Sequence, residues 1–458
     1  MTRDRAVGVA MCLTIAPVVL AQNERSQAGR QDAPTTGASE KEVKELPSPF
    51  SLRIYKDGDL RTRSHLTGDW GGERSKLASQ GFTFDVDVTQ IFHQAARGGK
   101  DTNNGFRYSG EAHYTLTLDT ARLGWWPAGQ ILLKGETQFG RSINGKVGSV
   151  MSVNSEDLFP IPEDPGITTL TEVVYTQFLS ETFGFSIGKI DFRGGDKNVF
   201  ANNETTQFMN LAFLANPLIL SFAPYSALTA TLIFRPSDEL TVTLTALDSF
   251  GRADTSGFDT AFHSPEGTAF FNEWDFTIKP FGQPGHQRVG VVFSTKDFTL
   301  LDQDPRLGGP FGVLGLVRQL VRDTDTRPDD WMFYYNFDQY LYTESEDPSQ
   351  GIGVFGRFGW SDGEATPIEI FYSIGVGGKG VIPERDNDTF GLGYYYADMS
   401  YEIPFILDIG DEQGIELYYN IEVTPWMHIT PDVQYIIDPG GGAYDDAIAV
   451  GIRTHISF

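Results

Sequence analysis

Carboxylates and histidines at short spacings are the residues of this chain that could carry out chemistry. Asp85 and Asp87 lie two residues apart and could serve as the paired carboxylates of a soluble sugar hydrolase. His113, His428 and His455 could each activate a serine, as in a barrel-shaped membrane lipase. The sequence contains neither a G-x-S-x-G motif for such a serine nor an H-E-x-x-H zinc motif. Catalysis is therefore not indicated, and the two enzymes are kept as alternatives.

These charged residues belong to segments in which apolar and polar side chains alternate. In FRYSGEAHYTLTLDT, residues 106–120, Tyr114 and Leu116 share one parity, while Glu111 and His113 share the other. Successive side chains of a β-strand point to opposite faces, so this segment is a strand with one apolar and one polar face. The polar face would meet bulk water in a soluble sandwich, or an aqueous lumen in a membrane barrel.

Segment length and the chain end favour the membrane barrel. We expect about sixteen alternating segments, most of them about 9–15 residues long, which suits a tilted strand that crosses a bilayer. They begin near residues 82, 106, 129, 168, 183, 226, 239, 268, 286, 331, 349, 366, 389, 412, 426 and 446. Long connections such as 142–167 and 192–225 alternate with short ones such as 180–182 and 236–238. The last segment ends in the aromatic residue Phe458, the type of signal that outer-membrane barrel assembly reads.

The N-terminus is typical of an exported protein. Arg3 and Arg5 precede an apolar run that ends in small residues near Ala21, which predicts a signal peptide over residues 1–21. This run is too short for a membrane-spanning helix, which needs about 20 apolar residues. It also contains Cys12, the only cysteine, so cleavage would leave no thiol chemistry and no cysteine metal site.

Residues 22–64 are polar and predict a flexible segment. Residues 65–81 predict a short periplasmic helix that leads into the barrel, with Asp69 as a plausible N-cap and Gly81 as the stop. Residues 82–458 would form the barrel. The predicted fold is therefore all-β: a transmembrane antiparallel barrel of about 16 strands around an aqueous lumen. The net charge of −26 argues against nucleic acid as a partner.

The connection 192–225 is predicted to fold into the lumen and narrow it. It follows the fifth segment and mixes hydrogen-bonding groups with Phe200, Phe208 and Phe213, a combination that suits sugar hydroxyls and C–H edges. An exposed loop with incidental aromatic residues is the alternative. The polar candidates in this loop are Arg193, Asp196, Lys197, Asn202, Asn203, Glu204 and Gln207.

Charged residues on the polar parity of the segments are predicted to line the lumen, because a charge on the lipid face costs up to about 2–4 kcal/mol. Most of them would merely hold water, and a few would set selectivity. The predicted wall comprises Asp85, Asp87, Arg107, Glu111, Lys134, Glu136, Arg235, Glu273, Asp275, Arg288, Asp338, Arg357, Glu369, Glu416, Glu422 and Arg453.

Three stretches resemble a known family. LTGDWGGERSKLASQGFTFDVDVTQ (66–90), FSIGKIDF (185–192) and NVFANNETTQFMNLAF (198–213) are similar to segments of the OprB-type carbohydrate-selective porins of Gram-negative outer membranes. The resemblance runs from about residue 65 to Phe458. It implies a monomeric or trimeric barrel through which small sugars diffuse passively, without chemistry, cofactor or metal. A general diffusion porin is the alternative, and neither interpretation identifies the preferred sugar.

Overall fold

Sixteen strands close into one antiparallel barrel in the computed structural model, as the sequence predicts. The structure describes residues 48–157, 168–192, 196–261, 263, 266–301, 325–403 and 409–458. The predicted signal peptide and Arg193 lie outside these residues. The barrel strands are β1 (Phe82–Arg97), β2 (Phe106–Asp119), β3 (Gly129–Gly140), β4 (Thr168–Phe178), β5 (Phe183–Asp191), β6 (Ser226–Ser237), β7 (Leu240–Asp248), β8 (Thr268–Ile278), β9 (Gly285–Ser294), β12 (Asp330–Thr343), β13 (Gly351–Ser361), β14 (Ile368–Lys379), β15 (Thr389–Met399), β16 (Glu412–Thr424), β17 (Met427–Ile437) and β18 (Ala447–Ser457).

Each barrel strand pairs with its neighbours along the chain, and β1 pairs with β18 to close the sheet. Closure leaves no unpaired strand edge, which hydrocarbon would penalise. Every predicted segment begins within two residues of an observed barrel strand. The sequence did not predict the small ribbon formed by β10 (Phe298–Thr299) and β11 (Thr326–Arg327), because two-residue strands carry no alternation.

The two parities of the strands differ sharply in exposure. Outward side chains such as Leu232 (42% exposed) and Ile374 (53% exposed) present the apolar surface that lipid requires. Inward side chains such as Glu111 (1%) and Arg453 (0%) are covered by the barrel contents. Among the described helices, none is both long and apolar enough to span a bilayer.

The connections alternate between the two ends of the barrel. The turns 179–182, 238–239 and 425–426 lie at the end where β1 begins, whereas the long connections that follow β3, β5, β7 and β9 leave their strands at the other end. Short turns mark the periplasmic side of such barrels and long loops the outer side. The helix that precedes β1 therefore lies at the periplasmic end.

That helix is split at two glycines. A 3₁₀ turn, Trp70–Gly72, precedes α1 (Glu73–Ser79), and Gly71 (φ 69°) and Gly72 (φ 95°) adopt the left-handed conformation that glycine tolerates best. Asp69 precedes the 3₁₀ turn, and its side chain accepts a hydrogen bond from the Ser75 amide (2.7 Å). A simple N-cap would instead accept a bond from an amide two or three residues further along the chain. Among the described residues of the outer loops there are three further one-turn helices: α2 (Asn144–Val147), α3 (Leu211–Leu214) and α4 (Phe258–Ala261).

Candidate functional site

The described part of the connection after β5, residues 196–225, folds into the lumen and lies against strands β12–β18. Its residues bond to side chains of β12, β13, β16 and β18, which lie far from it in sequence. Helix α3 and a 3₁₀ turn, Pro217–Ser221, give the segment internal structure, and Asn210 and Asn216 cap them by accepting bonds from Ala212 and Leu218. We call residues 196–221 the constriction loop.

Aromatic rings of the constriction loop pack onto glycines of the barrel wall. Phe200 lies over Gly353 and Gly377, and Phe208 lies over Gly391. A β-carbon on Gly391 would lie 2.6 Å from the Phe208 ring, and one on Gly377 would lie 2.8 Å from Phe200. Since real β-carbons do not approach so closely, only glycine lets the loop come this near to the sheet.

Phe213 completes this docking surface. It lies over Gly393 and is fully buried, with its ring 5.9 Å from that of Tyr395. Phe208 (1% exposed) contacts Phe355 and Tyr418 edge-to-face at 5.4 and 4.7 Å. The expectation that the phenylalanines of the loop offer faces to sugars is therefore wrong. They anchor the loop, because burial against the wall outweighs exposure of a large ring to water.

Polar groups hold the same side of the loop. Glu416 accepts hydrogen bonds from the amides of Met209 (2.5 Å) and Asn210 (2.9 Å). Arg453 donates to the carbonyl oxygens of Glu204 (2.6 Å) and Gln207 (2.5 Å). The sequence predicts that Glu416 and Arg453 line the lumen. They point inward, but their side chains form hydrogen bonds with the backbone of the constriction loop.

One ion pair ties the start of the loop to β13. Arg357 donates from Nε to Asp196 Oδ2 (2.7 Å) and from Nη2 to Asp196 Oδ1 (2.8 Å), the two-pronged geometry that fixes both side chains. Asn336 of β12 also donates to Asp196. The Arg357 side chain is fully buried, whereas that of Asp196 is 22% exposed, so the carboxylate edge borders the lumen.

A second network begins at the next residue of the loop. Lys197 Nζ lies 3.0 Å from Glu273 Oε1 and 3.7 Å from Asp275 Oδ2, both on β8. Asp275 is also 3.3 Å from Arg288 Nε, and Arg288 Nη1 bonds to Asp338 at 2.7 Å. Lys197 is 29% exposed, the largest value in this network. It is therefore the cation most accessible from the lumen here.

Strands β2–β5 carry a third network on the opposite part of the wall. Glu111 Oε1 lies 2.8 Å from His113 Nε2, and Lys134 Nζ lies 2.9 Å from Glu136 and 3.3 Å from Asp191. These side chains stay fixed because each carboxylate faces a cation or an imidazole. The lumen is thus bordered by paired charges, with the loop on one side and the strands on the other.

One group in this network also has donor atoms spaced as a cation would need. Among the described residues, Glu111, His113 and Glu156 place one ligand atom each within 4.8 Å of one another. His113 Nε2 and Glu111 Oε1 lie 2.8 Å apart, so two of the three groups already contact each other within the wall.

Known proteins share this architecture. The family model of the carbohydrate-selective porins, the OprB family, matches residues 103–458. The chain belongs to this family. Porin B of Pseudomonas aeruginosa is 23% identical over 427 residues, which cover 86% of this chain and 91% of that protein. The high-pH structure of OprB from Pseudomonas putida has a TM-score of 0.74 at 22% identity, and covers 87% of this chain and 99% of that one.

The protein is therefore a porin of the Gram-negative outer membrane. Four other predicted site residues of the porin remain: Arg107 and Arg235 lie away from the constriction loop, and Asn202 and Asn203 lie within it. Arg107 donates to the carbonyl oxygens of Asn104 and Phe106 at the outer end of β2. Arg235 lies at the periplasmic end of β6, with its guanidinium 5.1 Å from the Phe178 ring. Neither belongs to the three networks.

Asn202 and Asn203 of the porin shape the loop itself. Asn202 donates to the Asp196 carbonyl oxygen (2.9 Å), and Asn203 Oδ1 accepts from the Thr205 amide (2.9 Å). Asn203 is exposed, so it is the residue of the pair that can meet a solute. The roles of all these residues in permeation stay predictions.

The sequence-based prediction missed two groups of functional residues. Inward glycines of β13–β15 were not recognised, although GIGVFGRFG (351–359) repeats glycine at short spacing within a strand, where glycine is unfavourable without a reason. The second group is the stretch before the helix. Phe50 and Tyr55 are buried, although most of residues 48–64 are exposed, and the flexibility predicted for residues 22–64 stays a prediction.

Proposed function

We propose that this porin lets small carbohydrates, mono- and disaccharides, diffuse passively across the outer membrane between the constriction loop and the charged wall. Family membership supports carbohydrates as the class of solute. The closed barrel wall surrounds a continuous path across the membrane. No energy coupling, catalysis, cofactor or metal enters this proposal.

The docking of the loop is the observation that carries the proposal. Because the rings of the loop are buried on β13–β16, the accessible edge of the lumen carries Asp196, Lys197 and Asn203 beside Glu273 and Asp275. A sugar that enters must exchange bonds to water for bonds to fixed groups. Paired donors and acceptors at fixed positions permit this exchange with hydroxyl-rich solutes and offer little to apolar ones.

Two features of the barrel support its placement and assembly. The outward apolar side chains suit contact with outer-membrane lipid. The Phe458 amide donates to the Val86 carbonyl oxygen (2.8 Å), so the terminal residue completes the seam between β18 and β1. We propose that this terminal strand is the part recognised by the barrel-assembly machinery. Whether the barrel works alone or as a homotrimer is decided by its mass in detergent.

Liposome swelling tests the proposed function. Vesicles that contain the purified porin are diluted into isotonic sugars of increasing size and into amino acids of matched size. We expect fast swelling in monosaccharides, slower swelling in disaccharides, and no product in the recovered sugar. Equal rates for sugars and matched amino acids would leave only a general porin. Product formation would instead favour the barrel enzyme.

A further inference from the structure

Residues 48–66, which we call the exit segment, enter the periplasmic mouth of the barrel. Phe50 (5% exposed) packs on Phe178 and Ile233, which point inward from β4 and β6. The Phe50 and Phe178 ring centroids are 6.0 Å apart. Arg122, in the turn after β2, donates to the Phe50 carbonyl oxygen at 2.9 Å. The segment therefore starts inside the barrel wall and not on its outer rim.

The next contact is with the inward carboxylate of Asp85 on β1. The Tyr55 hydroxyl donates to Asp85 Oδ1 (3.0 Å), and Arg74 of α1 donates to the same oxygen (2.8 Å). The Arg74 guanidinium lies 4.2 Å from the centre of the Tyr55 ring, a cation–π contact that fixes the tyrosine. His65 Nε2 is 3.6 Å from Asp85. Asp85 therefore anchors the exit segment. Its carboxylate is bonded to Tyr55 and Arg74 and does not form the catalytic pair with Asp87 that a sugar hydrolase would need.

The segment then continues along the rim. Trp426, in the turn between β16 and β17, donates to the Leu60 carbonyl oxygen (2.8 Å), and the Leu66 amide donates to the Ser457 carbonyl oxygen (2.7 Å). The exit segment therefore contacts the periplasmic mouth from β6, through β1, to the β16–β17 turn. A solute that leaves the lumen has to pass it.

Arg53 is the exposed charged side chain of the exit segment that lies beside the inward carboxylate of Asp85, whereas the exposed Lys56, Asp57, Asp59 and Arg61 lie further along the segment. Its Nε lies 3.5 Å from Asp85 Oδ2, and its side chain is 55% exposed. Arg74 and Tyr55 already bond to Asp85 at shorter distances, so Asp85 does not bind Arg53 tightly. Ile54, the neighbouring residue, is 70% exposed and carries no charge, so it is a matched control position.

We propose that the exit segment is a second constriction of the pore, at its periplasmic end, and that Arg53 is a selectivity residue there. This inference rests on the proposed function, in which solutes cross the barrel and pass through its periplasmic mouth. The charge of Arg53 opposes the passage of cations through the mouth and attracts anions, as charged side chains do at other pore constrictions.

Cysteine accessibility in planar bilayers tests this proposal. Arg53→Cys and, as a matched control, Ile54→Cys are made in full-length protein that also carries Cys12→Ser. Each channel is treated from the periplasmic side with a cationic and with an anionic thiol reagent of similar size. Heat-modifiable migration on gels shows that each variant is folded.

We expect modification of the Arg53→Cys channel to lower the single-channel conductance, because the added group narrows a charged constriction. The reversal potential in a salt gradient should shift in opposite directions for the two reagents. Modification of the Ile54→Cys channel should change neither quantity. The proposal is overturned when the modified Arg53→Cys channel keeps the conductance and reversal potential of the unmodified one, or when Ile54→Cys gives the same changes as Arg53→Cys. Sugar-driven swelling of the same variants separates this outcome from failure of the proposed function.

Discussion

The two sides of the lumen wall use opposite kinds of contact. Strands β13–β16 present glycines and the buried rings Phe355, Tyr395 and Tyr418, against which the phenylalanine rings of the constriction loop pack. Strands β3, β5, β8, β9 and β12 present carboxylates and cations that pair with one another or with Lys197 of the loop. Apolar packing, together with the bonds from Arg357, Glu416 and Arg453, thus decides where the loop lies, whereas the paired charges on the other strands decide what the remaining space can bind. Substitutions on the two sides should therefore have different effects.

The largest effect is expected from Phe213→Ala. The ring is fully buried against Gly393, so its removal leaves a cavity that costs about 3–5 kcal/mol of unfolding free energy. The loop should loosen, and the mean conductance and current noise should rise. Urea unfolding in detergent and single-channel recording measure both effects.

Phe234→Ala is the matched control, because this outward ring is 47% exposed to lipid. An equal stability loss in the two variants, with unchanged conductance for Phe213→Ala, would remove the distinction between the docking side and the rest of the barrel.

A smaller effect is expected from Arg357→Gln. This change removes the two charged hydrogen bonds to Asp196, which are worth about 1–3 kcal/mol. The rings would still hold the loop, so conductance should change little while discrimination between sugars of different size weakens. Swelling rates in a sugar series measure this. Arg235→Gln, at the periplasmic end of β6, should keep the wild-type series, and an identical loss in both variants would contradict the role of the Asp196 pair.

Lys197→Gln should leave the fold intact and change the ion preference. The substitution removes the accessible cation beside Glu273 and Asp275, so the lumen becomes more negative there. The reversal potential in a salt gradient should shift toward higher cation permeability. Arg107→Gln removes the same charge at the outer mouth and should shift it less. A larger shift for Arg107→Gln would place the controlling charge outside the constriction.

The smallest effect concerns the exit segment and pH. Burial, together with the nearby Arg74 cation, lowers the pKa of His65 to about 4, although Asp85 and Asp87 act in the opposite direction. The undocked imidazole has its ordinary pKa near 6.5. Docking of the segment should therefore be fully stable above about pH 6.5 and weaken as pH falls toward 4.

Hydrogen exchange of residues 50–66, corrected for intrinsic rates, should show this loss of protection. His65→Gln should remove most of the pH dependence. Protection that stays constant between pH 7 and pH 4 in the wild-type protein would contradict the account of His65.

The sequence predicted the barrel well because its alternation is a direct consequence of the two solvents. Most inward positions meet water or polar groups and the outward ones meet lipid, so Tyr114 and Glu111 could be assigned to faces by parity alone. Inward rings such as Phe355 and Tyr395 meet the constriction loop instead. The starting points of all sixteen strands followed from this rule.

The candidate site was less predictable because parity does not say which inward residues meet. Asp196 and Arg357 are far apart in sequence, and their pairing depends on how the loop folds back. The apolar character of Phe208 and Phe213 fits a sugar platform and a docking anchor equally, and only the glycines opposite them distinguish the two. Phe50 and Tyr55 lie in a short polar stretch before the helix. Two apolar residues are too few to produce a recognisable alternation of apolar and polar side chains.

Single-channel recording during titration with mono- and disaccharides tests most directly whether sugars pass between the docked loop and the charged wall. In the wild-type porin, the current should fall saturably as sugar is added, more deeply for a disaccharide than for a monosaccharide. In Phe213→Ala, whose loop is loosened, the fall should be shallower. A wild-type current that stays constant across the whole panel would contradict the account.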